Sequence, residues 1–380
     1  MSPEKIKKIL VCPLNWGLGH ASRIIPVIYE LIQYKYDVYI GADGSALELL
    51  KQEFPGLKHI RFPSFTITYG KKKSIVLQMF IQVPKIILGI IREHIALKKL
   101  INSYSLDFII SDNRFGLWSK KALTVYITHQ INIKLPSTLR FFESLINKIN
   151  RLIILKYNQC WIPDFAHHKN NLTGELSHNN NIPNNAKFIG PLSRFKLYSG
   201  DNTYAEKFKY DILVIMSGPE PQRTMLEEIL TREIKKSEYK TLIVQGKPGV
   251  KLFSNITDNI TRISHLSTGE FLQTVNRSKY IICRSGYSTI MDLITLKRNA
   301  ILVPTPGQTE QEYLAGYLSE FFCSIEQNKI KLEDIINRLQ RYQPLRLNYS
   351  GPELKNYIQN LGLLEKQAKK GSCKKSQSKS

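Results

Sequence analysis

Cys283-Arg284-Ser285-Gly286-Tyr287-Ser288-Thr289-Ile290-Met291-Asp292 is the stretch that decides the fold. It predicts a buried strand ending at Cys283, a tight turn at Gly286 and a helix beyond it. The pattern repeats at once: Ala300-Ile301-Leu302-Val303-Pro304 reads as a second strand and Gln308-Thr309-Glu310-Gln311-Glu312-Tyr313 as the start of its helix. Such a succession marks a parallel α/β sheet. Ligands collect at its strand ends because helix N-termini there offer unpaired N–H groups and a positive dipole end. A nucleoside diphosphate fits that description.

Upstream, Ser267-x-x-Glu270 has the spacing of a capping box and predicts a helix running to Asn276, followed by the strand Tyr280–Cys283. Asp211–Met216 and Thr241–Gln245 supply earlier strands of the same sheet, with a helix from Thr224 between them. The N-terminal half repeats the scheme. Ile9–Pro13 reads as a strand, Arg23–Tyr34 as a helix and Asp37–Gly41 as the next strand, a βαβ opening. Leu106–Asp112 and Thr124–Thr128 are apolar runs of the parallel-sheet kind, and Gln159–Pro163 and Lys187–Pro191 add two shorter strands. The Gly/Pro/Ser/Asn-rich stretch from Gly190 to Thr203 separates the halves. The chain therefore divides into a first α/β unit over 1–195 and a second over 205–345, then a helical segment over 346–364 and a basic tail over 365–380.

With 380 residues, 42% hydrophobic and 22% charged, the chain has the composition of a globular protein with two cores. Its formal charge of +23 favours polyanionic partners: acidic lipid, phosphorylated substrates or nucleic acid. Part of that charge sits in the tail, where Lys366, Lys369, Lys370, Lys374, Lys375 and Lys379 alternate with small polar residues, the composition of a solvated arm. The five cysteines form no Cys-x-x-Cys pair, so neither zinc nor a disulfide framework is expected, and a reducing cytoplasm is the expected setting. The N-terminus leads into a strand rather than an apolar leader. Two segments resist a simple core reading: Ile75–Ile91, apolar with Pro84 and Lys85 inside and a basic run to Lys99 after it, and Leu135–Lys156, apolar with interspersed Arg and Lys. The first is a poor spanning helix, and basic apolar helices lie at membrane interfaces as well as on sheets.

The first glycine loop, Asn15-Trp16-Gly17-Leu18-Gly19-His20-Ala21-Ser22-Arg23, allows two readings. Gly17 and Gly19, with Asp43 at the end of the second strand, fit part of the dinucleotide fingerprint, which makes an NAD-dependent oxidoreductase one candidate. Ser22 at the third glycine position counts against it. Alternatively His20, at a loop-to-helix junction, is a general base oriented by Asp112, with His129 at a neighbouring strand end. A helix cap for a segment starting at Arg114 is the competing role for Asp112.

Gly17-x-Gly19-His20-Ala21-Ser22-Arg23 and the stretch from Arg284-Ser285-Gly286 through Asp292 to Gln311 together resemble the GT-B glycosyltransferases of family 28, which includes the lipid-linked peptidoglycan N-acetylglucosaminyltransferase. The resemblance spans most of residues 6–345. It implies two Rossmann-like doubly wound domains facing a cleft, with a UDP-sugar donor on the C-terminal one and the acceptor on the N-terminal one. It further implies nucleotide contacts from Arg284, Ser285, Gly286, Ser288 and Thr289, and ribose binding by Asp292, where the family has Glu. It places Gln311 and Glu312 at the sugar, Ser217 and Gly218 at the diphosphate, and the backbone of Leu266 at the base. On the acceptor side it puts His20 beside the acceptor hydroxyl; His20 or Asp112 is then expected to remove its proton, with Gly17, Gly19, Asn113, Arg114 and His129 expected around them. No Asp-x-Asp pair occurs in the chain, so an inverting transfer without metal or other cofactor is expected, to a lipid-linked or membrane-surface acceptor. A UDP-sugar epimerase of the same fold and a nucleic-acid-binding protein are the alternatives. The segment Leu354–Leu364 is expected to cross back to the first domain.

Overall fold

The computed structural model describes residues 6–64, 75–167, 171–179, 181–198, 208–341 and 354–361, with backbone alone over 75–82. The tail from 365 and much of the stretch between the units lie outside the described residues. In chain order the first unit runs β1 (Lys8–Pro13), α1 (Leu18–Gln33), β2 (Asp37–Ala42), α2 (Gly44–Glu53), β3 (Lys58–Arg61), α3 (Ile75–Tyr104), β4 (Phe108–Asp112), β5 (Leu123–Ile127), α4 (Glu143–Ile154), β6 (Gln159–Ile162) and β7 (Ala186–Phe188). The second runs β8 (Tyr210–Ile215), α5 (Gln222–Ile234), β9 (Thr241–Val244), β10 (Phe253–Asn255), β11 (Ile260–Ile263), α6 (Thr268–Asn276), β12 (Ser278–Cys283), α7 (Tyr287–Thr295), β13 (Ile301–Leu302), α8 (Thr309–Tyr317), β14 (Cys323–Ser324), α9 (Leu332–Gln340) and α10 (Leu354–Gln359).

The first sheet has strand order β3-β2-β1-β4-β5-β6-β7 and is parallel throughout. The second has order β10-β11-β9-β8-β12-β13-β14, parallel except for β10 against β11. The expected pair of doubly wound Rossmann-like units is therefore present. In each sheet the order reverses between two central strands, β1 and β4 in the first and β8 and β12 in the second. The loops after those strands diverge there and leave a crevice.

Why these segments fold so is visible in their burial. Along α1, Ile24, Ile25, Val27, Ile28 and Leu31 recur at helical spacing and are all buried. β4 is buried at every position, as its apolar run requires when helices cover both faces of a sheet. The capping box at α6 is present: Ser267 Oγ accepts from the Glu270 N–H, and the Glu270 carboxylate accepts from the Ser267 N–H at 2.9 Å. α10 does cross back. Leu354, Ile358 and Leu361 are buried, and Tyr357 donates to the Phe188 carbonyl at the far edge of the first sheet at 2.8 Å.

The structure corrects several expectations. The short elements α2, β3, β10, β11, β14 and α9 escaped the sequence reading; β3, for example, is Lys-His-Ile-Arg and carries no apolar run. Ile75–Ile91 is not a separate segment but the front of a 30-residue helix, α3, which continues through Pro84. The second apolar basic segment forms a 3-10 turn over Ser137–Phe142 and then α4. No helix begins at Arg114, so Asp112 caps nothing there.

Candidate active site

The two crevices face each other and merge into one cavity of about 710 Å³. Its first wall is the β1–α1 loop, the start of α1 and the ends of β4 and β5. Its second wall is the β8–α5 loop, the start of α7 and the start of α8. Direct contacts close the seam: Ser288 Oγ donates to the Gly19 carbonyl at 2.9 Å, and Thr309 Oγ1 donates to the Lys134 carbonyl at 2.7 Å. Two glycines make the first wall possible. Gly17 enters α1 at φ 77°, a left-handed conformation that side chains disfavour, and a Cβ on Gly19 would lie 3.1 Å from Ser288 Oγ.

On the first wall, α1 carries His20 and Arg23, β4 ends in Asp112 and the turn after β5 carries His129. Asp112 is fully buried and accepts from Arg23 Nε at 3.0 and 2.9 Å, while His20 Nδ1 lies 3.2 Å from its Oδ2. Burial alone would raise the Asp112 pKa, but the Arg23 guanidinium and His20 outweigh it and hold the carboxyl below its ordinary value. His20 is lowered, first by burial and then by the Arg23 charge, so its imidazole is neutral. With Nδ1 turned to Asp112 and Arg23, Nε2 is the nitrogen left for the cavity that His20 lines. Asn113 lines the cavity too, in a left-handed conformation (φ 57°), with its Oδ1 accepting from Tyr126 at 3.0 Å. Arg114 does not. It is buried beside Glu93, 2.9 Å away, and donates to the carbonyls of Phe62 and Pro63. Breaking such a buried pair costs about 3–5 kcal/mol, so Arg114 is a framework residue.

The second wall presents mostly backbone and hydroxyls. Ser217, Gly218, Gly286, Ser288 and Thr289 all line the cavity. Gly286 is not the tight turn expected. Its backbone is extended at φ −71°, and a Cβ there would meet nothing within 4 Å, so glycine simply leaves the first N–H groups of α7 uncovered. Arg284 and Ser285 face away from the cavity. Arg284 is buried among the carbonyls of Val303, Pro304 and Gln222, and Ser285 Oγ donates to the Gln311 carbonyl at 2.8 Å. Leu266 packs on the core, and its neighbour His265 forms the wall instead. Of the expected sugar pair, Gln311 lines the cavity but Glu312 turns to the Gly307 N–H at 2.9 Å; the acidic residue on the wall is Glu310. On a helix, one residue of offset is about 100° of rotation.

Asp292 lines the cavity and accepts from Ser193 Oγ at 2.6 Å, with Arg194 Nε 3.9 Å from its other oxygen. Burial pushes its pKa up to about 6, against the pull of Arg194. Arg194 lies over the rings of Phe195 and Phe271, and His265, beside them, is lowered to about 4, mainly by burial. Sequence reasoning missed Arg23, Ser193, Arg194, His265 and Glu310. Arg23 stood inside the quoted glycine motif, and its charge at a core-facing position was the available signal. Ser193 and Arg194 carried none, because they look like linker. Asp43, needed by the dinucleotide reading, is engaged by Ser64 through both its N–H and its hydroxyl at 3.1 Å.

Comparison with known proteins agrees with the fold. The model of the glycosyltransferase family 28 C-terminal domain matches residues 214–360. An uncharacterized glycosyltransferase of Methanosarcina mazei is 22% identical over 335 residues, 82% of this chain and 83% of that one. The UDP-N-acetylglucosamine–N-acetylmuramyl-(pentapeptide) pyrophosphoryl-undecaprenol N-acetylglucosamine transferase of Haemophilus ducreyi is 28% identical over 162 residues, 41% of this chain and 44% of that one. Among solved structures, the glycosyltransferase SnogD of Streptomyces nogalater superposes with a TM-score of 0.59 at 11% identity, over 95% of this chain and 100% of that one.

Proposed function

We propose that this chain, a glycosyltransferase of GT-B fold whose C-terminal part is a family 28 domain, is an inverting, metal-independent enzyme that moves a sugar from a UDP-sugar to a lipid-linked acceptor at a membrane surface. The observation that carries the reading is the single cavity with a neutral histidine on one wall and helix N-termini on the other. In one displacement the acceptor oxygen attacks the anomeric carbon. The bond from that carbon to the diphosphate oxygen breaks and its electron pair leaves with UDP. The acceptor proton passes to His20 Nε2, while Nδ1–H is held by Asp112. The N–H groups at the start of α7, with Ser217 and Gly218, meet the developing diphosphate charge. Asp292 accepts from the ribose hydroxyls, and Glu310 and Gln311 stand at the sugar. Uridine as the nucleoside is supported by the UDP-linked donor for which the Haemophilus ducreyi relative is named.

A membrane-surface acceptor is supported by the outer face of the first unit. On α3, Val83, Ile87, Ile91 and Ile95 form an exposed stripe, and Phe141, Leu145, Ile149 and Leu152 form another across the 3-10 turn and α4. Exposed Lys85, Arg92, Arg140 and Lys148 accompany them, the composition of a surface for anionic lipid. α3, through Val83 and Ile86, and Leu135 and Pro136 just before the 3-10 turn border the cavity. Among the described residues no helix is long and apolar enough to cross a membrane. The deciding test is calorimetric titration of UDP into the wild-type protein and into Asp292→Ala. Saturable binding weakened about 10–100-fold by the substitution is expected, the worth of a hydrogen bond or two to a charged group. No binding to the folded wild type overturns the UDP assignment.

A further inference from the structure

Arg23 is the hub of a chain of polar contacts that spans the cleft. Its Nη1 lies 3.0 Å from His129 Nδ1, and its Nη2 lies 2.9 Å from His20 Nδ1. Guanidinium has donors only, so a histidine nitrogen bonded to it must accept. His129 therefore carries its proton on Nε2, which faces Glu310 Oε1 of the second unit at 2.7 Å and donates to it. Gln130 Nε2 donates to the other Glu310 oxygen. Stacking of the His129 ring on Tyr287, with centroids 4.2 Å apart, fixes its plane.

His20 is bound by the same donor-only guanidinium. Nδ1 cannot accept from Arg23 and donate to Asp112 together. Asp112 already receives three bonds from Arg23 and lies 3.2 Å from Nδ1, against 2.9 Å for the guanidinium. The shorter contact keeps the His20 proton on Nε2, the nitrogen facing the cavity. In that tautomer His20 donates a hydrogen bond to an acceptor hydroxyl but takes no proton from it. The base form, with Nδ1–H on Asp112, requires Arg23 to let go.

We propose that Arg23 and His129 are positioning residues that hold His20 in its non-basic tautomer while Glu310 is docked on the first unit, and that a donor sugar occupying Glu310 releases the hold and switches the base on. The charged and titratable groups around His20 are Arg23 on its own helix, Asp112 on β4, His129 after β5 and Glu310 on α8, and all four belong to the chain. Glu310 is the natural trigger, because it stands on the donor wall at the start of α8, yet its carboxylate is spent on His129 and Gln130. Sugar hydroxyls that claim it take the acceptor away from His129 Nε2–H, which loosens one of the fixed ends that align Arg23 between the two imidazoles. Proton acceptance then follows donor binding, so an empty donor site leaves the acceptor hydroxyl unactivated. This deepens the glycosyl-transfer reading and rests on it, but its test needs no transfer.

The test is 15N NMR of the histidine side chains in the full chain without substrate. In the wild type, His20 is expected with Nε2 protonated and Nδ1 bare. Arg23→Met is expected to move the proton to Nδ1, where Asp112 accepts its hydrogen bond, and to raise the His20 pKa as the adjacent cation goes. Arg23→Lys, which keeps the charge but not the three-way reach, is expected to keep the low pKa and lose the tautomer hold. Should Arg23→Met fail to fold, Glu310→Ala at the cavity wall serves instead and is expected to shift His20 toward Nδ1–H. A wild-type His20 already protonated on Nδ1, or a tautomer unmoved in the folded variants, overturns the proposal. A wild-type protein that shows the predicted tautomers yet binds no UDP would sink the donor assignment and leave the relay standing.

Discussion

The two crevices of this molecule have the same topology and opposite chemistry. Beyond β1, β4 and β5 the chain delivers His20, Arg23, Asp112 and His129, side chains that balance one another's charge in a largely buried cluster. Beyond β8 and β12 it delivers N–H groups, hydroxyls and the carboxylate of Asp292, to which α8 adds Glu310. The difference follows from what each wall handles. A proton must be taken up by a titratable side chain whose pKa its neighbours have set, whereas a diphosphate needs fixed donors that never titrate. The first wall is therefore expected to govern turnover and the second to govern donor affinity.

His20→Ala gives the largest separation between them. Loss of a general base lowers turnover by about 10²–10⁴-fold. UDP affinity, set on the other wall, is expected to stay within a factor of about two in calorimetry, because UDP lacks the sugar that would reach Glu310 and His20 touches none of the nucleotide-side groups. A variant that keeps its turnover, or loses UDP binding in step with it, would erase the division of labour. The outer faces sharpen the same contrast at smaller scale. Leu145→Asp together with Ile149→Asp breaks the α4 stripe without entering the cavity. Binding to vesicles of anionic phospholipid at low salt is expected to fall by at least about tenfold, because each lost side chain forfeits about 1.5–3 kcal/mol of burial. UDP affinity should not move. Equal vesicle binding by the double variant would place the lipid contact elsewhere.

How far the sequence discloses each wall depends on the distance between partners along the chain. Cys283 to Asp292 is one local strand–helix passage, and its place at a strand end was legible from pattern alone. The first wall joins His20 to Asp112 across 92 residues, Arg23 to His129 across 106 and His129 to Glu310 across 181. The pattern placed His20, Asp112 and His129 at strand ends of one sheet, but nothing local shows that Arg23 stands between them. Direction was the second thing hidden. Successive residues leave a strand on opposite sides and a helix about 100° apart, so Arg284 turned inward and Glu312 turned to Gly307 while Glu310, two places earlier, took the wall. The basic apolar segments were legible in composition, and the structure added which residues stay outside.

The smallest effect isolates Asp292 from the rest of the second wall. Accepting from ribose hydroxyls requires the ionised carboxylate, and in the free protein burial pushes that carboxyl up to about 6. The sign follows. Burial favours the neutral form, so this group stabilises the free fold below the ordinary carboxylate range, and the contribution is lost as pH rises through about 6. Nucleotide binding selects the charged form and runs the other way. UDP affinity is expected to be full at pH 7 and to weaken as pH falls through that value, by about tenfold per pH unit at most. The uridine diphosphate itself takes up a proton near the same pH, so the wild type must be read against Asp292→Asn, which keeps the shape and removes the titration. The ratio of the two affinities should close toward pH 5. A ratio that stays constant from pH 7 to pH 5 would mean that Asp292 binds no ribose, and that its contact with Ser193 is its whole role.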